Sequence, residues 1–68
     1  MRNIRMIEMR KQRQLSQEQL GQIVGATRQT IGLIESGDYN PTLRLCIAIS
    51  KALDCTLNDL FWRVEDEE

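Results

Sequence analysis

Few side chains in this chain could carry chemistry. Its 68 residues include no histidine, so the commonest general base and the commonest metal ligand are missing. Cys46 and Cys55 stand apart with no CxxC spacing, and two thiols cannot complete a four-ligand zinc site. They read as reduced thiols that pack as small apolar side chains, which fits a cytosolic compartment. No nucleophile–base arrangement stands out, so neither an enzyme nor a bound cofactor or metal is expected. What remains is hydrogen bonding. Polar side chains gather in three short stretches, Ser16-Gln17, Thr27-Arg28-Gln29-Thr30 and Tyr39-Asn40-Pro41-Thr42. Arginine offers a rigid fork of donors, and glutamine offers donors and an acceptor on one plane. Groups of this kind recognise flat polar edges and anions.

These stretches sit where helices should begin. A first helix is expected over about residues 3–13, with Met6, Met9 and Arg13 on one inward stripe. Ser16 opens a second as N-cap, with Gln19 three residues on to close a capping box. Leu20, Ile23 and Val24 give that helix its apolar spacing, and Gly25 supplies a left-handed end. Thr27 caps a third helix with Ile31 and Ile34 inward, ended by Gly37; Arg28, Gln29, Gly32 and Leu33 face elsewhere. Thr42, just after the sole proline, caps a fourth helix whose many apolar residues predict a central element buried on most sides. Thr56 caps a short fifth, with Asp59 at its third position and Leu57, Leu60 and Phe61 inward. The chain is thus expected to be all-α.

A length of 68 residues allows one domain with a marginal core, and 41% hydrophobic with 28% charged residues is the balance of a globular protein. No apolar run is long enough to span a membrane, and no apolar stretch follows the basic start to make a secretory signal. The net charge of −1 hides an asymmetry. Residues 1–53 carry eight Lys and Arg against four Asp and Glu, and residues 54–68 carry six acids against Arg63. A basic body with an acidic end admits a nucleic-acid partner that the net charge alone would argue against.

Two short helices joined by a few residues with glycine at the joint form a helix-turn-helix signature, here over about residues 16–36. Gly21 lies inside the second helix, where glycine costs about 1 kcal/mol against alanine; close packing on the third helix is a reason to keep it. The run Leu15-Ser16-Gln17-Glu18-Gln19-Leu20-Gly21, then Val24-Gly25, Thr27-Arg28-Gln29-Thr30-Ile31, Ile34-Glu35-Ser36-Gly37 and Asn40-Pro41-Thr42 resembles the Cro/cI-type (Xre) helix-turn-helix regulators, above all the small single-domain bacterial members. The resemblance covers about residues 4–62. The chain departs from the family at Gly21, where alanine is usual, at Gln14, where glycine is common, and at Gly32.

The resemblance implies a five-helix, lambda-repressor-like DNA-binding domain over residues 1–68, acting as a homodimeric transcriptional regulator, a repressor or autoregulator, in the cytoplasm at the nucleoid. The third helix, residues 28–36, would then lie in the major groove of double-stranded DNA. Arg28 suits guanine O6 and N7, and Gln29 suits adenine N6 and N7. Leu33 is placed to touch a thymine methyl, or is a lone exposed apolar side chain. Gln17 would bridge to the third helix or reach an outer base. Gly32 either lets the helix approach the groove wall or is a tolerated helix glycine. Ser16, Thr27, Thr30, Tyr39, Asn40, Thr42 and Arg44 would hold the DNA backbone, fixing register without reading sequence; the remaining basic residues would supply diffuse attraction. In the family, residues at the positions of Arg10 and Glu35 form an internal ion pair.

Small relatives dimerise through C-terminal segments, some by a two-stranded sheet. Phe61, Trp62 and Val64 are therefore expected at a two-fold interface on a pseudo-palindromic operator, with Ile4 or Ile7 nearby; in the alternative, Trp62 covers the monomer's own core. The acidic end, residues 62–68, is expected to be solvated. A second function class fits the same fold. It is a protein-interaction module, antirepressor or antitoxin-like, using Trp62 and the acids; the presence of Gln17, Arg28 and Gln29 favours DNA.

Overall fold

The computed structural model describes residues 2–61. It contains five helices in chain order, α1 (Ile4–Gln12), α2 (Gln17–Val24), α3 (Arg28–Ser36), α4 (Leu43–Ala52) and α5 (Leu57–Leu60), and no strand among the described residues. Trp62, Val64 and the acidic segment 62–68, including any C-terminal strand, lie outside the described residues.

Local chemistry sets where the helices begin. The Ser16 hydroxyl accepts from the Gln19 N–H at 3.0 Å, and the Gln19 side chain accepts from the Ser16 N–H at 2.8 Å. Thr56 and Asp59 make the same reciprocal box at the start of α5. Hydrogen bonds from the Thr56 N–H and then its hydroxyl hold the Asp59 carboxyl below the ordinary carboxylate range. Thr27 and Thr42 cap α3 and α4 through their hydroxyls. Such a cap contributes about 1 kcal/mol. Asn3 is the N-cap of α1 rather than its first residue, and accepts from the Met6 N–H at 3.0 Å. It also donates from its side chain to the Leu60 carbonyl and from its backbone to the Glu35 carbonyl. One residue thereby ties α1 to α5 and to the end of α3. Gly25 and Gly37 end α2 and α3 in the left-handed region, at φ 80° and 88°. Gln14 also takes a positive φ, 58°, a conformation in which glycine is less strained.

The core takes a residue or two from every helix: Met6, Leu20, Ile31, Ile34, Ile49 and Leu60, with Leu53 just past α4. Leu15, Val24, Leu45 and Phe61 are half-buried around it. Three expectations need correction. The fourth helix is not buried on most sides, because Leu43 and Ile47 are exposed; α4 packs mainly against α2 and α5, and no element among the described residues covers its opposite face. Ile23 shares the apolar spacing of Leu20 and Val24 yet is 59% exposed. Arg13 is not inward but exposed; its Nε donates to the Leu53 carbonyl at 3.0 Å and its guanidinium lies 3.4 Å from Asp54. That exposed pair adds at most about 1 kcal/mol.

Gly21 owes its place to the turn more than to α3 itself. A Cβ there would sit 2.6 Å from the Ala26 carbonyl oxygen, and that backbone cannot retreat cheaply because the Ala26 N–H donates to the Gly21 carbonyl at 2.8 Å. Gly21→Val is therefore expected to destabilise by about 1–3 kcal/mol, the range for overpacking. For a domain of this size each kcal/mol lowers Tm by roughly 4–8 °C. A thermal scan showing an unchanged or higher Tm would contradict this account of the turn.

Candidate nucleic-acid interface

The third helix divides into two faces. Ile31, Ile34 and Glu35 are buried, and Ile31 is sealed completely. Arg28, Gln29 and Leu33 are exposed on the other side, with Thr30 half-buried between the two. This split follows from the spacing, since residues three and four apart share a face. The exposed residues at the start of α3 carry an arginine fork and a primary amide, neither of which has a side-chain partner within the protein among the described residues. The Thr27 hydroxyl donates to the Thr30 oxygen at 2.9 Å while accepting from the Thr30 N–H. The proton of the Thr30 hydroxyl is left to donate elsewhere.

Beside α3 lies the start of α2. Its capping box uses the N–H groups of Ser16 and Gln19. The N–H groups of Gln17 and Glu18 remain at the positive end of the helix dipole, an arrangement that attracts anions. The loop after α3 carries Tyr39, 43% exposed, and Asn40, also exposed, and leads to the cap residue Thr42 and to exposed Arg44 at the start of α4. The described residues contain no cluster of His, Cys, Asp or Glu suited to a metal ion, and no helix long and apolar enough to cross a membrane.

A buried ion pair holds this surface from behind. Arg10 Nε lies 2.7 Å from Glu35 Oε2, and a second guanidinium nitrogen donates to Oε1 at 3.3 Å. The third nitrogen donates to the Leu15 carbonyl at 2.7 Å, in the segment leading to Ser16. The two side chains are 10% and 4% exposed. Arg10 thus binds α1 to the end of α3 and to the entry of α2. Gln17 joins the same group, donating from Nε2 to Glu35 Oε1 at 3.0 Å. It is half-buried, unlike the exposed Arg28 and Gln29. The side-chain bond between Gln17 and Glu35 has no local signal in the sequence, because it joins residues on different helices.

The remaining expected contacts scatter. Phe61 is half-buried against the molecule's own core, and it lines an open cleft with Ile4, Ile34, Tyr39 and Leu60. Ile4 is exposed and Ile7 half-buried. Cys46 and Cys55 are free thiols, each pushed up from its ordinary pKa chiefly by burial, which disfavours the thiolate.

The helix-turn-helix family model matches residues 6–60. Among known proteins, the chain is 48% identical over 59 residues to the HTH-type transcriptional regulator YgzD of Bacillus subtilis, covering 87% of this chain and 89% of that one. It is 41% identical over 64 residues to an HTH-type transcriptional regulator of Archaeoglobus fulgidus, covering 94% and 90%. Among solved structures, it is similar to the restriction-modification controller protein C.AhdI of Aeromonas hydrophila, with a TM-score of 0.78 and 35% identity over 84% of this chain and 86% of that one. The two-faced third helix, the glycine-ended second helix packed beside it and these matches agree: the chain belongs to the helix-turn-helix family of transcriptional regulators, Cro/cI (Xre) type.

Proposed function

We propose that this chain is a sequence-specific regulator that binds double-stranded DNA as a homodimer and represses transcription, in the cytoplasm at the nucleoid. The observation that carries the reading is the exposed start of α3, where the Arg28 and Gln29 side chains have no partner among the described residues while the helix's other face is locked into the core. In the major groove Arg28 pairs with guanine and Gln29 with adenine, and Leu33, 38% exposed, meets a thymine methyl. Gln17 reads an outer base. Ser16, Thr27, Thr30, Tyr39, Asn40, Thr42 and Arg44 grip the phosphate backbone. The protomers join through Phe61, Trp62 and Val64; support for this is the cleft beside Phe61, with exposed Ile4 on its wall. A two-fold dimer of this type needs half-sites about 34–36 Å apart.

Fluorescence anisotropy over a salt series tests the reading, with DNA from upstream of the protein's own gene set against scrambled DNA. The expected preference is about 10³-fold or more, with affinity falling steeply as salt rises. Arg28→Ala is expected to remove about 1–3 kcal/mol of specific binding and to leave binding to scrambled DNA nearly unchanged. Equal weak binding of wild type to both DNAs, repeated with a random-sequence pool, would favour the protein-interaction reading instead. Sedimentation measures the assembly. A monomer at tens of micromolar would remove the dimer from the proposal.

A further inference from the structure

The bond between Gln17 and Glu35 decides which way a glutamine amide faces. A carboxylate only accepts hydrogen bonds. The end of the Gln17 amide that meets Glu35 Oε1 at 3.0 Å is therefore the NH2 end. Glu35 is itself held by two guanidinium nitrogens of Arg10 and is buried, so it cannot turn away to release the amide. Flipping the amide would set its carbonyl oxygen against a carboxylate oxygen, two acceptors with no proton between them. One N–H of Gln17 is committed to Glu35; its Oε1 and its second N–H are left for an outside partner.

Gly32 keeps that amide uncovered. It sits one helical turn before Glu35's neighbour Ser36, on the side of α3 that faces α2. A Cβ built at Gly32 would lie 3.6 Å from Gln17 Nε2 and 3.7 Å from its Oε1. These are ordinary contact distances, so alanine would touch the amide and any longer side chain would cover it. Gly32 is not in the left-handed region, since the positive-φ glycines are Gly25 and Gly37. The backbone at residue 32 does not require glycine; its effect there is to leave a notch above Gln17. In a helix interior, where glycine is unfavourable, the notch is a feature with a cost.

We propose that Glu35 is a positioning residue for DNA reading: it locks the Gln17 amide with its NH2 end inward, and the notch at Gly32 exposes an acceptor and one donor that select adenine at a single base pair of each half-site. This rests on the DNA-binding reading above. An acceptor beside a donor is the pair that meets adenine N6–H and N7 in the major groove. An amide free to flip must be oriented by the base it meets, at a cost in conformational freedom; the Gln17 amide meets its base already oriented.

Selection from a random-sequence DNA pool tests it, comparing wild type with Gln17→Met and Gly32→Leu. Wild type is expected to prefer adenine about ten-fold or more at one position per half-site. Gln17→Met, which keeps the length but can neither donate nor accept strongly, and Gly32→Leu, which fills the notch, are both expected to erase that preference while the positions read by Arg28 and Gln29 keep theirs. If wild type selects a sequence and both variants select the same one with uniformly weaker binding, Gln17 is a phosphate contact and the inference fails. If wild type selects nothing, the DNA reading itself fails and the inference goes with it. Glu35→Gln would test the positioning directly, but that substitution breaks an ion pair and the chain can unfold. The amide protons of wild-type Gln17 supply the independent measurement. The locked amide predicts that one of the two Gln17 side-chain NH2 protons exchanges with solvent markedly more slowly than the other by NMR; two equally fast exchanging protons would overturn the lock.

Discussion

Glu35→Ala is expected to destabilise the fold by about 3–5 kcal/mol. The cause is not the loss of an attraction so much as what the change leaves behind. Arg10 would remain buried, with one guanidinium nitrogen still on the Leu15 carbonyl and the other two facing the hole left by the carboxylate. A domain of this size has about 3–10 kcal/mol of stability in total, at the per-residue range of globular proteins. The variant should therefore lose a large fraction of its total stability, and urea titration followed by helical circular dichroism would measure it. The double change Arg10→Met with Glu35→Leu removes both charges and keeps most of the volume. It is expected to cost only about 1–3 kcal/mol, because a buried pair roughly balances its own desolvation while the Leu15 carbonyl and one Gln17 N–H lose their partners. If the double variant proves as unstable as Glu35→Ala, the cost comes from lost packing rather than from an unpaired charge. If Glu35→Ala costs under about 1 kcal/mol, the pair is hydrated in solution and does not brace α3.

Helix starts were the most legible part of this molecule, because each is written within four residues. Ser16 with Gln19, and Thr56 with Asp59, announce reciprocal caps that need no distant partner. The identity of the buried faces was legible where only one arrangement served, as in α3, whose Ile31 and Ile34 leave Arg28 and Gln29 outside. It failed where a helix carries more apolar residues than the fold has neighbours. Ile23, Leu43 and Ile47 fit helical spacing as well as Leu20 or Ile49 does, yet they are exposed. Periodicity says which residues share a face and not whether another element arrives to cover it. Arg13 departs from its spacing for a related reason: its distance from Met6 and Met9 places it near the inward stripe, but α1 ends at Gln12, and the side chain reaches out to Leu53 and Asp54. The family resemblance implies a bridge from Gln17 to the third helix but not that Glu35 receives it, since 18 residues and a turn separate the partners. Only the packing angle of α2 on α3 brings them together, and Gly21 sets how closely the turn between them can fold back.

The same division of α3 into two faces predicts that stability and recognition can be damaged separately. Ile31 is fully sealed, lying between the exposed start of the helix and the buried Glu35. Ile31→Ala is expected to destabilise by about 2–5 kcal/mol, and Ile31→Val by about 0.5–1.5 kcal/mol, as buried methyl groups are removed and the cavity left behind only partly closes. Neither change alters the side chains that face outward. Apparent affinity for DNA should then fall in proportion to the unfolded fraction, because only the folded state binds, and saturating operator should raise the apparent stability of both variants. The choice among DNA sequences should remain that of wild type. Arg28→Ala should do the reverse, with unfolding unchanged and sequence preference weakened by about 1–3 kcal/mol. Measured together, urea unfolding and the ratio of specific to scrambled DNA binding separate the two faces. If Ile31→Val loses sequence preference while remaining folded, then the inward face sets the position of the reading residues as well as their support, and α3 shifts in its seat when a single methyl group is removed.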